Sequence, residues 1–185
     1  LGTPSRRYVA FLRAINVGGH TVTMDRLRTL FEEMGHAGAK TFIASGNVVF
    51  DSLRDDVDAL ETEIERHLER NLGFPVGTFI RSIEEVEAVA GYEPFRKEGD
   101  GSGGHTLSVA FLKAVPPDEV AERVVALGTE IDDLHVHGRE LYWLRHTRIH
   151  ESKITGAQLE KVLGGPATMR NVTTVRRLAG KFSGS

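Results

Sequence analysis

The chain alternates between two hydrophobic periods, and the order of those periods predicts its elements. Residues 8–12, Tyr-Val-Ala-Phe-Leu, are apolar on both faces of a strand, which predicts a central strand covered on both sides. A polar, glycine-bearing stretch follows at 13–23. Thr23 then stands as an N-cap, and Met24, Leu27, Leu30, Phe31 and Met34 recur at helical spacing until Gly35. Residues 41–44 predict a second strand, Ser45-Gly46 a tight turn, and 47–50 a returning strand. Val57, Leu60, Ile64, Leu68 and Leu72 form one helical stripe. Asp55, Asp56 and Asp58 suit the positive end of that helix, and Gly73 stops it. A fourth strand is expected at 76–81 and a short helix at 84–90.

Residues 93–104, with Pro94 and a run of glycine and serine, read as a linker. The pattern then begins again. Residues 106–112 predict a strand, and Pro117 and Asp118 open a helix bearing Val120, Val124 and Leu127. Residues 131–136 and 140–144 predict a hairpin around Gly138. Thr155 with Gln158 reads as a capping box for a helix bearing Leu159, Val162 and Leu163. Residues 167–170 suit a short last strand, and Val172, Val175 and Leu178 mark a final helix.

The residues repeat as well as the pattern. Val9-Ala-Phe-Leu-Arg-Ala14 matches Val109-Ala-Phe-Leu-Lys-Ala114. Leu68-Glu-Arg-Asn-Leu-Gly-Phe-Pro75 matches Leu159-Glu-Lys-Val-Leu-Gly-Gly-Pro166. Arg81-Ser82 before Val86 matches Arg170-Asn171 before Val175. The expected fold class is α+β: two repeated ferredoxin-like (split βαβ) halves with antiparallel sheets, each followed by an extra helix. The halves span 1–92 and 105–185. Right-handed crossovers place the first strand of each half between its third and fourth.

This topology sorts the candidate ligand residues. In the first half, the 13–23 loop shares an end of the sheet with Ser45-Gly46-Asn47. In the second half, 145–153 shares an end with Arg170-Asn171. The repeat also acts as a control. The second half joins its first strand to its helix through Lys113-Ala-Val-Pro-Pro117, whereas the first half uses a longer loop containing Asn16, Gly18, Gly19 and His20. Similarly, 145–152 is longer than its counterpart 51–54. A fold that closes with a short connection does not need the long one, so both insertions are candidates for function.

Gly18 and Gly19 let backbone N–H groups turn toward a ligand, and a helix starts a few residues later. That is the geometry of an anion site. Arg13 and Asn16 add a guanidinium fork and an amide. The competing reading is a loop that uses glycine only for positive φ. Ser45 and Asn47 are turn residues first, and their place beside the loop makes them ligand candidates. Arg145, His146, Arg148, His150 and Lys153 form the densest basic stretch, which reads as a solvated loop or as an anion partner. Arg170 and Asn171 open a helix, where arginine opposes the dipole unless an anion or carboxylate such as Glu151 lies nearby. No Walker or dinucleotide fingerprint is present. No acidic or thiol set completes a site around His135 and His137 or around His146 and His150, so neither metal nor cofactor is expected. His20 pairs with no recognisable nucleophile.

Composition narrows the classes further. The chain has 185 residues and no cysteine, which excludes disulfides and thiolate chemistry and fits a cytoplasmic setting. No apolar run approaches spanning length, so no membrane partner is expected. The formal charge is −3, but from Gly138 onward nine basic residues face three acids. That quarter is therefore +6 and the remainder −9, which suits an anionic ligand or partner.

Three stretches carry a resemblance: Phe11-Leu-Arg-Ala-Ile-Asn-Val-Gly-Gly19, Phe42-Ile-Ala-Ser-Gly-Asn-Val-Val-Phe50, and Ser152-Lys153 with Thr168-Met-Arg-Asn-Val-Thr-Thr-Val-Arg-Arg-Leu178. They resemble the bacterial domain-of-unknown-function family 1697. The resemblance implies two related α+β halves and names no reaction, substrate or cofactor. Ala14 stands where that family usually has glycine, and Val172 where it often has tryptophan.

Together these readings point to a small anionic ligand, phosphate-bearing or nucleotide-like, bound at a cleft through the 13–23 loop. The residues concerned are Arg13, Asn16, Gly18, Gly19, Ser45, Asn47, Lys153, Arg170 and Asn171. The alternatives are nucleic-acid binding through the basic C-terminal quarter, or an oligomeric structural module without catalysis. No nucleophile–base pair identifies an enzyme.

Overall fold

The computed structural model describes residues 4–43, 46–95, 105–146 and 151–184. Its first elements are β1 (Arg6–Leu12), α1 (Met24–Glu33), β2 (Lys40–Thr41), β3 (Asn47–Ser52), α2 (Val57–Leu72), β4 (Thr78–Ser82) and α3 (Ile83–Gly91). The second set is β5 (Thr106–Leu112), α4 (Asp118–Val125), β6 (Asp132–His137), β7 (Glu140–Arg145), α5 (Gly156–Leu163), β8 (Ala167–Asn171) and α6 (Val172–Phe182). The sheets are ordered β2-β3-β1-β4 and β6-β7-β5-β8, and every pair is antiparallel. These are two α+β, ferredoxin-like halves, each with its first strand in the centre. By packing, the chain divides into two compact units: Leu1–Ala88 with Leu178–Ser185, and Val89–Arg177.

In the first unit, Tyr8, Ala10 and Leu12 project from β1 toward the helices. There they meet Leu27, Leu30 and Phe31 of α1 and Leu60, Ile64 and Leu68 of α2. Val9 and Phe11, on the opposite face, are also fully buried. Each such side chain contributes about 1.5–3 kcal/mol by leaving water. The second unit buries Ala110, Leu134, Leu141, Trp143 and Leu159 on the corresponding face.

The helix ends follow the expected chemistry. Thr23 Oγ1 accepts from Arg26 N–H at 3.1 Å and Asp56 Oδ1 from Ala59 N–H at 3.0 Å. Thr155 Oγ1 accepts from Gln158 N–H at 3.1 Å. At the β4–α3 junction, Ser82 Oγ accepts from Glu85 N–H while Glu85 Oε2 accepts from Ser82 N–H, a reciprocal cap. The outer side of edge strand β4 is satisfied by α2, whose Glu61 and Glu65 accept from Ile80 and Thr78 N–H, both at 2.8 Å. Glu160 of α5 accepts from Ala167 N–H of β8 in the same way, at 3.1 Å.

Several element boundaries differ from expectation, those of β2 and β4 among them. The second strand is confined to Lys40–Thr41, because Ile43 takes a φ of +58° and turns out of the ladder. A β-branched residue there is held by its surroundings rather than by preference. The fourth strand starts at Thr78, not at residue 76.

Candidate functional site

The 13–23 loop begins where β1 loses its partners. Leu12 N–H donates to Gly46 C=O at 2.8 Å and Arg13 N–H to Gly77 C=O at 2.7 Å. Ala14, at φ +61°, then turns the chain away. Ile15 folds back and is buried against the hairpin turn. A Cβ on Gly46 would lie 2.9 Å from Ile15 Cγ2, and Gly46 itself has φ +80°, so only glycine suits that position. Asn16 Oδ1 accepts from Val22 N–H at 2.7 Å and closes the loop on itself. The His20 ring stacks on Phe74 at 4.0 Å.

Within the loop the sign of φ alternates. It is positive at Ala14, Asn16 and Gly18 but not at Ile15 or Val17, and it is positive again at Gly19. Alternation of this kind turns successive N–H groups to one side and forms an anion-binding concavity. Gly18 and Gly19 are exposed, and neither N–H has an acceptor among the described residues. Arg13, also exposed, opens the loop with its side chain against Gly77. The three non-glycine residues with positive φ among those described are Ala14, Asn16 and Ile43. All three lie at this end of the first unit, a concentration typical of sites that bind or switch.

The hairpin turn plays a different part. Asn47 is fully buried, and its Nδ2 donates to Phe42 C=O at 2.9 Å, inside the turn. Ser45 lies outside the described residues. The crevice between loop and turn, lined by Ile15, Asn16, Thr41, Ile43 and Asn47 among others, holds about 10 Å³, room for about one water. That leaves no room for a ligand between loop and turn, whereas Gly18 and Gly19 are exposed.

The other candidates lie in the second unit. Lys153 is exposed. Arg170 faces Val109 across the ladder and is buried. It donates to Thr168 Oγ1 and Met169 C=O, both at 2.9 Å, and burial pushes its pKa down to about 10. Asn171 Oδ1 accepts from Thr173 N–H at 2.9 Å, capping α6. Arg145 is not in a solvated loop. It ends β7, is buried over the Trp143 ring at 4.4 Å, and donates to Ser108 Oγ at 2.9 Å. Its pKa is lowered by burial, against which Asp132 pulls upward. Arg148 and His150 lie outside the described residues.

The sequence reading missed Asp132. Its carboxylate has no exposure and accepts from Trp143 Nε1, Ser152 Oγ and Thr129 Oγ1, each at 2.8 Å. Ser152 thus anchors the long β7–α5 connection. The signal was an aspartate pair, Asp132-Asp133, opening a strand, which has no meaning until its partners on other elements are known. His135 and His137 serve an aromatic cluster. Tyr92 Oη bonds His135 Nε2 at 2.9 Å, and the Tyr92 ring stacks on His137 at 4.2 Å. Burial, then the neighbouring His137, lowers the His135 pKa. Among the described residues, no group of three or more histidine or acidic side chains is placed to hold a metal ion.

A family model described as "Protein of unknown function (DUF1697)" matches residues 6–142. The chain belongs to the DUF1697 family. That match includes the whole 13–23 loop and the hairpin turn, and stops before Lys153, Arg170 and Asn171. A solved structure, a conserved bacterial protein from Streptococcus pneumoniae, is similar over 96% of this chain and 98% of its own, with 23% identity and a TM-score of 0.75. At that identity the likeness speaks to the fold alone. No curated protein matches the chain. No helix among the described residues is long and apolar enough to cross a membrane.

Proposed function

We propose that this DUF1697 protein binds a small phosphate-bearing anion, nucleotide-like in kind, on the outer side of the 13–23 loop, and does so in the cytoplasm. The observation that carries this reading is the alternating φ at 14–18, with the Gly18 and Gly19 N–H groups exposed and without acceptors among the described residues. Such N–H groups favour an oxyanion that accepts several hydrogen bonds at once. Arg13 supplies the positive charge, and Asn16 holds the loop closed through Val22. Asn47, Arg170 and Asn171 already serve the turn, the strand and the cap, so the proposal rests on Arg13, Asn16, Gly18 and Gly19.

The test is a thermal-shift panel of orthophosphate, nucleoside phosphates and sugar phosphates, followed by calorimetry on any hit. Random RNA and DNA at low and physiological salt form a separate arm. Affinity should fall by about tenfold or more in Arg13→Ala. No shift from any phosphate compound, or an affinity unmoved by both Arg13→Ala and Gly18→Ala, would dismiss the reading. Binding of nucleic acid alone, lost at physiological salt, would replace it with a non-specific electrostatic one.

A further inference from the structure

Three side chains of the second unit meet at one corner of its sheet. His105 immediately precedes β5, His146 immediately follows β7, and Asp133 is the second residue of β6. Leu107 and Asp133 both lie opposite Leu144. Two residues further along their strands, His105 and His146 therefore project from that same face. His146 Nε2 lies 2.5 Å from Asp133 Oδ2, and His146 Nδ1 lies 3.0 Å from His105 Nδ1, with the two rings crossing at 86°. Both imidazoles are half-buried. Asp132 and Arg145 occupy the opposite face of the sheet, Asp132 engaged by Trp143, Ser152 and Thr129 and Arg145 by Ser108.

For the neutral pair, counting protons fixes the tautomers. A carboxylate only accepts, so His146 Nε2 carries a hydrogen. Nδ1 of a neutral His146 then accepts from His105 Nδ1–H. His105 Nε2 is left as a nitrogen lone pair with no partner among the described residues. The chain is directional: Asp133 orients His146, and His146 orients His105 and draws on its N–H.

We propose that Asp133, His146 and His105 form a general-base site in which His105 Nε2 removes the proton from a water or alcohol O–H. The Nε2 lone pair forms the new N–H bond, and the electrons of the broken O–H bond stay on oxygen, which becomes the nucleophile. The imidazolium left on His105 passes its Nδ1 proton to His146 Nδ1, and the Asp133 carboxylate stabilises the resulting His146 cation. His105 is the catalytic residue; His146 and Asp133 are positioning residues.

Two measurements on the full chain test this. Ring nitrogen-15 shifts are read by NMR at about pH 8, where an ordinary imidazole is neutral. Carbethoxylation by diethyl pyrocarbonate at pH 7 is followed residue by residue by mass spectrometry. His105 should carry its hydrogen on Nδ1 and His146 on Nε2. Carbethoxylation of His105 should slow by about threefold or more in Asp133→Asn and in His146→Gln, and Asp133→Glu should restore it. Hydrogen on His105 Nε2, or a His105 rate unmoved by either variant, would overturn the proposal. If a variant loses its native circular dichroism, the wild-type spectrum decides alone.

Discussion

The β1–α1 and β5–α4 connections join equivalent elements of the two units, one with eleven residues and the other with five. The short one passes from Leu112 to Asp118 without a single positive φ, and Pro117 leads directly into the helix. The long one contains four. Closing this connection therefore does not require backbone strain, and the strain at Ala14 and Asn16 belongs to the longer loop. The β7–α5 connection is also long, but it is held differently, by Ser152 bonded to a buried carboxylate. One connection leaves the N–H groups of the exposed Gly18 and Gly19 without acceptors among the described residues, while the other commits Ser152 to a buried carboxylate. That contrast is why the first, and not the second, is read as the anion site.

The largest effect should come from breaking the inward anchor. Asp132→Ala leaves the Trp143, Ser152 and Thr129 donors without their acceptor and should cost about 3 kcal/mol. Trp143 is the chain's single tryptophan, so denaturation followed by its fluorescence reads the second unit directly. An unchanged midpoint would mean that Asp132 does not hold the connection. Next, Gly46→Val forces a β-branched side chain into φ +80° and a Cβ to 2.9 Å from Ile15 Cγ2. About 2–3 kcal/mol should be lost, visible in far-UV circular dichroism against urea.

A smaller pair of changes should have opposite signs. Ala14 sits at φ +61°, while its repeat counterpart Ala114 has no positive φ. Ala14→Gly should stabilise by about 1 kcal/mol, relieving the left-handed penalty. Ala114→Gly should destabilise by about 0.5 kcal/mol through the entropy of the unfolded chain. Equal signs would mean that the two connections are not in different backbone regimes.

The smallest expected effect is on pH dependence. His36 is buried against Phe31 and Phe50 with Nε2 unpartnered, and burial lowers its pKa below 6.5. The unfolded chain therefore takes the proton first. The contribution is complete above pH 6.5 and is lost as the pH falls toward the folded value. His36→Phe should flatten the acid side of the stability profile, and a profile left unchanged would assign the acid sensitivity to other groups.

Much of this architecture was legible from residue types alone. The caps at Thr23, Asp56 and Thr155 and the left-handed stops at Gly73 and Gly164 involve neighbours in the chain, so local chemistry decides them. The internal repeat supplied the strand order, because a right-handed crossover leaves one solution. Asn47 was readable as a turn residue for the same local reason. Arg145 was not. Its place in a basic run suggested water, whereas pairing with Thr106 and the Trp143 ring buries it.

What the sequence determined by itself was the order and type of the elements, the duplicated α+β plan, and the loop whose length exceeds what the plan needs. These follow from periodicity and short-range hydrogen bonding, which act over a few residues. Tertiary structure alone decided that Gly18 and Gly19 are exposed, that Asp132 gathers three donors, and that Asp133, His146 and His105 form one chain. Those outcomes depend on strand register, which brings together residues separated by 13 and 41 positions, and no local pattern encodes that distance.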